Sequence, residues 1–179
     1  YYDPIKKINC SDLVLASDFV IDYYAKTVET ASRKSHILYK TENEVQERIR
    51  HDIWRDAKID PPQPLAKPND AKEKIDGTRE PKVTPATPHK FIECHCFWDL
   101  DDDGYEEPYI ITVHYQSKQV VRVLARFKPE GIKTNAKGKI ASIEPIEYFT
   151  KFGFIPNPDG SIYDLGFGIL LGGINETVN

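Results

Sequence analysis

The stretch Lys90-Phe-Ile-Glu-Cys-His-Cys-Phe-Trp-Asp-Leu-Asp-Asp-Asp-Gly-Tyr-Glu-Glu-Pro-Tyr-Ile-Ile-Thr-Val-His-Tyr115, continued by Gln116-Ser-Lys118 and Gln119-Val-Val-Arg-Val-Leu-Ala-Arg-Phe127, decides the fold. Three runs rich in aromatic and β-branched residues are separated by two polar turns, the pattern of an antiparallel meander. Side chains alternate along a strand, so Ile92, Cys94, Cys96 and Trp98 share one side of the first run and Glu93 and His95 the other. In the third run Val121, Val123, Ala125 and Phe127 make an apolar side opposite Arg122 and Arg126. The expectation is a sheet with one apolar face buried and one partly polar face, with Phe97, Trp98, Val113, Val121 and Val123 in or beside the core.

The first turn carries the sharpest chemistry. Asp99, Asp101 and Asp103 stand at alternate positions before Gly104, with Glu107 beyond, which is how a calcium loop begins. Ile110 stands where the bidentate twelfth-position Glu is required and no helix follows, so a full EF-hand is excluded. Two readings stay open: a hairpin cap, because Asp and Gly suit tight turns, or a weak Ca²⁺ site of Asp99, Asp101, Asp103 and Glu107.

A chain of 179 residues holds one ordinary domain, and a net charge of −4 advertises no nucleic acid globally. There is no apolar run long enough to span a membrane and no signal peptide pattern. The chain has no methionine, opens on Tyr1-Tyr2-Asp3-Pro4 and stops at Asn175-Glu-Thr-Val-Asn179, which reads as a piece of a longer protein. Cys10, Cys94 and Cys96 make no disulfide framework. Alternation sets His95 opposite the two neighbouring thiols, which argues against zinc and for buried, reduced cysteines.

The organisation falls into strands and a helix over residues 1–58, an extended proline-rich arm over 59–89, and the meander with the start of a C-terminal helix over 90–179, all one α+β domain. Short strands are expected within Ile8–Ala25 and at Ser35–Tyr39. Thr41-Glu-Asn-Glu44 is a capping box opening a helix to about Trp54, with Val45, Ile49 and Ile53 on one side. His36 and His51 have no partner at ligand spacing and read as structural or solvated. The arm, with Pro61, Pro62, Pro64, Pro68, Pro81, Pro85 and Pro88, offers too little apolar surface to offset ordering. Lys128-Pro-Glu-Gly131 reads as a turn. Lys133, Lys137 and Lys139, with Arg122 and Arg126, form the most basic zone, a solvated face or a weak phosphate-contacting patch. Phe167, Leu170, Leu171, Ile174 and Val178 make the apolar side of the closing helix, whose glycines match no nucleotide fingerprint.

Asp99-Leu-Asp-Asp-Asp-Gly-Tyr105, Glu107-Pro-Tyr-Ile-Ile-Thr-Val113, Tyr148-Phe-Thr-Lys-Phe-Gly-Phe-Ile-Pro-Asn-Pro-Asp-Gly160 and Tyr163-Asp-Leu-Gly-Phe-Gly-Ile-Leu-Leu-Gly172 resemble the portal proteins of tailed bacteriophages, of the P22-like kind. Asn175-Glu176, Asp18-Phe-Val-Ile-Asp-Tyr-Tyr-Ala-Lys26 and Thr41-Glu-Asn-Glu-Val-Gln-Glu47 extend the likeness over most of the chain outside the arm. The resemblance implies a non-catalytic virion protein, the wing-like mid-chain body of a subunit in a homo-oligomeric ring, usually a dodecamer. The ring would sit at a capsid vertex, assembled in the host cytoplasm. Its implied partners are the packaging terminase, tail adaptors and the double-stranded DNA that passes through the channel, with no membrane and no required cofactor. Two alternatives remain: a calcium-stabilised β-rich binding module, or a metal-dependent phosphoryl-transfer enzyme using Asp99, Asp101, Asp103 and Glu107. No Ser/His/Asp or Cys/His arrangement is legible in the sequence.

Overall fold

The computed structural model describes residues 2–64, 83–160, 162–169 and 171–172. Its elements are β1 (Tyr2–Asp3), β2 (Ile8–Asn9), a 3-10 turn (Ala16–Asp18), β3 (Phe19–Ile21), β4 (Lys34–Lys40), α1 (Glu42–Arg50), β5 (His89–Trp98), β6 (Glu107–His114), β7 (Val120–Ala125), β8 (Phe127–Thr134) and β9 (Ile140–Pro145). The fold is α+β. One antiparallel sheet runs β3-β4-β5-β6-β7, and β1-β2 and β8-β9 are separate hairpins.

The capping box forms as its residue types dictate: Thr41 Oγ1 accepts from the Glu44 amide, and Glu44 Oε2 accepts from the Thr41 amide at 2.8 Å. The helix stops at Arg50, one turn before Trp54, because His51 caps it and Asp52 takes a left-handed φ of 56°. Trp54 then folds under the sheet, its ring 4.6 Å from that of Phe91. Val45, Trp54, Phe91 and Val121 form the apolar core, with Leu38, Ile49, Ile53, Ala57 and Ile59 against it. Ile59, expected in the arm, thus belongs to the body. Most of the arm, including Pro68 and Pro81, and much of the closing helix, including Leu170, Ile174 and Val178, lie outside the described residues.

The buried face of the sheet is the opposite of the one expected. Cross-strand register puts Leu38, Phe91 and His114 on one face, with His36, Glu93 and Thr112 and then Lys34, His95 and Ile110. Phe91, His95, Thr112, His114 and Lys34 are buried there, while Trp98 on the other face is 48% exposed and Val123 47%. Alternation alone cannot choose between two faces that both carry apolar residues. The choice is made by what covers them: Trp54 on Phe91 at one end, and Tyr148 and Phe149 on His95 at the other, at 5.7 and 4.7 Å. Val121 is buried for a separate reason. Thr112 pairs with Arg122 and Val113 with Val120, so Val121 is the extra residue of a β-bulge and is free to turn into the core. The edge of β7 is capped from the loop after α1: the Arg55 amide donates to Val121 O and its guanidinium to Val120 O, both at 2.8 Å. Lys128-Pro-Glu-Gly131 is not a turn. It lies inside β8, where the pairing with β9 shifts register, as Pro and Gly in a strand demand.

Two polar networks tie the sheet to its covers. Glu147 bridges Lys34 and Arg126, both 1% exposed; its Oε1 accepts from Arg126 at 2.9 Å and its Oε2 accepts from Lys34. The second is a chain: Glu42 Oε2 to His89 Nε2 at 2.9 Å, His89 Nδ1 to His114 Nε2 at 3.4 Å, and His114 Nδ1 to Ser117 Oγ at 2.7 Å and to the Ser117 amide. One proton assignment satisfies every atom. A carboxylate only accepts, so His89 donates from Nε2 and accepts at Nδ1 from His114, which accepts at Nδ1 from Ser117. An added proton at His114 Nδ1 meets the Ser117 donors. Burial, then the neighbouring His89, holds the His114 pKa below its ordinary 6.5, against the pull of Asp60. Burial likewise lowers His36, against Glu93, Asp18 and Asp12.

Because these folded-state values are depressed, the unfolded chain binds more protons as pH falls through about 6.5, and stability is lost on the acid side. Urea unfolding is expected to show a lower midpoint at pH 5.5 than at 7.5. The slope should not exceed about 1.4 kcal/mol per pH unit for each proton. A flat profile over that interval would refute the proton assignment.

Candidate functional site

The turn between β5 and β6 folds around Asp99. Its Oδ1 accepts from the Asp103 amide at 3.1 Å and its Oδ2 from the Gly104 amide at 2.9 Å, while Asp103 Oδ1 accepts from the Tyr105 amide at 2.8 Å. Asp102 and Gly104 take positive φ, 57° and 88°, which Asp tolerates and Gly adopts freely. One ligand atom from each of Asp99, Asp101 and Asp103 lies within 4.8 Å of the others. Glu107 is not part of this group. It is the first residue of β6, opposite Trp98, and is 6% exposed with Oε2 unpartnered among the described residues. The four-residue ligand set expected from the sequence is therefore three. The cause is the strand: Glu107 is already in register, and the turn that gathers the aspartates ends before it.

The basic zone also divides. Lys133, Lys137 and Lys139 stand exposed about the β8–β9 turn, where Asn135 Oδ1 accepts from the Lys137 and Lys139 amides. Arg122 is partly buried on β7. Arg126 is withdrawn altogether: it donates to Glu147 and to Ile146 O, with its guanidinium 5.4 Å from the Phe97 ring. Only the three lysines remain as an exposed cationic cluster from that set, because Arg126 meets its carboxylate inside the fold.

The second face of the main sheet is only half covered. Ser35 and Ile111 are buried on it, Ile37, Ile92, Cys94, Cys96, Tyr109 and Val113 are partly buried, and Val20, Tyr39, Trp98 and Val123 are exposed. Cys94 and Cys96 lie here, as alternation required, but on the open face rather than in the core. The chain also exposes Tyr23, Tyr24, Phe152 and Phe154.

Sequence reasoning passed over Lys34, Glu42, His89, His114, Ser117 and Glu147. The spacing of His89 with Phe91 and of His114 with Thr112 marks both histidines as inward-facing once the buried face is known. No spacing rule links them to Glu42 or Ser117. Among the described residues no helix is long and apolar enough to cross a membrane. No protein-family model matches the chain, and no curated protein matches it.

Proposed function

We propose that the chain is a structural assembly module of the portal-ring type, one of many identical copies that build a closed conduit for double-stranded DNA. The motifs of the acidic turn and of Tyr148–Gly172 support this reading by their resemblance to P22-like phage portals. The observation that carries it is the half-open apolar face of the five-stranded sheet, with Trp98 48%, Val20 49% and Val123 47% exposed. An apolar face of this kind is stable in water when another surface covers it, and copies of one chain do so with closed symmetry. The exposed Lys133, Lys137 and Lys139 supply the charge that weak phosphate contact needs. The test is the native mass of the intact protein purified from cells. A closed ring, a dodecamer by the resemblance, is expected; a monomer at micromolar concentration would overturn the reading.

A second reading, a calcium-stabilised binding module, is favoured by the convergence of the Asp99, Asp101 and Asp103 oxygens. Three carboxylates without a bidentate Glu bind at about 10⁻⁴–10⁻³ M. Ca²⁺ bound to the folded state alone stabilises it by mass action. Millimolar Ca²⁺ is expected to raise the melting temperature by a few degrees, and Asp101→Asn with Asp103→Asn to abolish the rise. No change up to ~10 mM, well above that affinity range, would leave the aspartates as turn formers.

A further inference from the structure

We infer that the open edge of β7 is a docking site for a second copy of this chain, which adds its segment Leu13–Leu15 to the sheet as a sixth strand. β7 is the last of the five strands and pairs only with β6. The Arg126 amide donates to Pro108 O at 2.8 Å, continuing the register in which Thr112 faces Arg122 and Ile110 faces Leu124. Ladder bonds alternate along a strand, so Arg122 and Leu124 bond towards β6, and the N–H and C=O of Val123 and Ala125 point outward. The Arg55 cap satisfies Val120 O and Val121 O and stops there. Val123, Leu124 and Ala125 are exposed, and among them is none of the Lys, Pro or bulge that blunts an edge. Beside this edge lies a groove of about 430 Å³ between β7 and the loop after α1, with Ile53, Trp54, Val121 and Val123 in its walls. An unpaired edge next to an apolar groove suits an extended segment, which adds by main-chain bonds and by alternate side chains.

The chain itself carries the matching segment. Its sequence predicts strand within Ile8–Ala25, yet residues 11–15 lie in none, and Leu13 is 85% and Leu15 58% exposed. Leu15 is extended, with φ −71° and ψ 150°, and two residues apart on an extended chain Leu13 and Leu15 fall on one side, as two knobs for one groove. The segment does not reach β7 of its own chain. The Asp18 amide donates to Leu15 O at 3.0 Å, which ties Leu15 to the start of β3. β3 stands at the far edge of the sheet, four strand spacings from β7, or roughly 19 Å. Another copy presents the segment free of that tether. Donor segment and receiving edge are different parts of one surface, so the contact is head-to-tail, the kind that closes into rings. The inference rests on the ring reading and supplies part of the contact it requires, at Val123, which belongs both to the half-open face and to this edge.

The test is the native mass of the intact protein and of two variants, each blocking one half of the contact. Val123→Pro removes an outward N–H and no bond to β6, a position where a sheet tolerates proline. Leu13→Asp with Leu15→Asp charges the donor segment at two exposed positions. Each variant alone is expected to lose the ring and run as a monomer with the circular dichroism of the folded sheet. Mixed in equal amounts, the two should form a dimer and nothing larger, because one intact edge then meets one intact segment. That pairing also shows that both variants are folded. Variants that assemble as the wild type does would overturn the inference and leave the ring reading standing, and so would a mixture of folded variants that stays monomeric. A monomeric wild type would overturn both.

Discussion

Phe91→Ala is expected to cost about 3–5 kcal/mol of stability, the range for removing a fully buried aromatic side chain. Phe91 is 0% exposed and holds the core together from the middle of the sheet. Its ring meets Trp54 at 4.6 Å and His114 at 5.1 Å, and it clusters with Val45 and Val121. Nothing nearby can fill the space cheaply. Val45 is held by a capped helix, Val121 by the bulge, and His114 by hydrogen bonds on both ring nitrogens. Urea unfolding monitored by Trp54 and Trp98 fluorescence reads the loss. A cost below about 1 kcal/mol would mean that the covering of this face by α1 and Trp54 is wrong.

Glu147→Gln is expected to cost about 2–4 kcal/mol. Removing the partner of a buried charge costs ~3–5 kcal/mol, and the figure is reduced here because Glu147 is itself 37% exposed and reached by water. Two cations, Lys34 and Arg126, would be left inside without their carboxylate. Burial pushes the Glu147 pKa up, but the hydrogen bonds and charges of Lys34 and Arg126 outweigh it and hold the value below normal. This contribution is therefore present at neutral pH and lost as pH falls through the carboxylate range, below the histidine window. The same variant carrying Lys34→Met and Arg126→Met should recover most of the loss, since apolar groups of similar size replace buried ion pairs without large cost. Failure to recover would assign the loss to packing of residues 146–149 instead.

Much of the architecture was legible. The three meander strands, β4 and the capped helix start all follow from residue type and short-range spacing, where backbone sterics and local hydrogen bonds decide. What was not legible is which face the sheet buries. Trp98 was expected in or beside the core and is 48% exposed, whereas Phe91 is fully buried. The decision rests with Trp54 and Phe149, which reach the sheet from distant points in the chain. Arg126 was read as part of a basic surface for the same reason: its partner, Glu147, lies beyond an intervening hairpin. Of the acidic site, the three aspartates could be read because one turn contains them, whereas Glu107 was misplaced because the sequence does not show where the turn yields to β6.

The bridge from Lys34 to Glu147 joins positions 113 residues apart. Loop-closure entropy opposes such a contact until the local pairs are made, so the bridge is expected to form late in folding. An interaction absent from the transition state governs how fast the native state is left rather than how fast it is reached. The ion triad is then expected to act as a kinetic clasp, so that Glu147→Gln speeds unfolding more than it slows refolding. On that expectation it lengthens the lifetime of the folded chain, while the meander, whose pairs are close in sequence, governs how fast that chain is made.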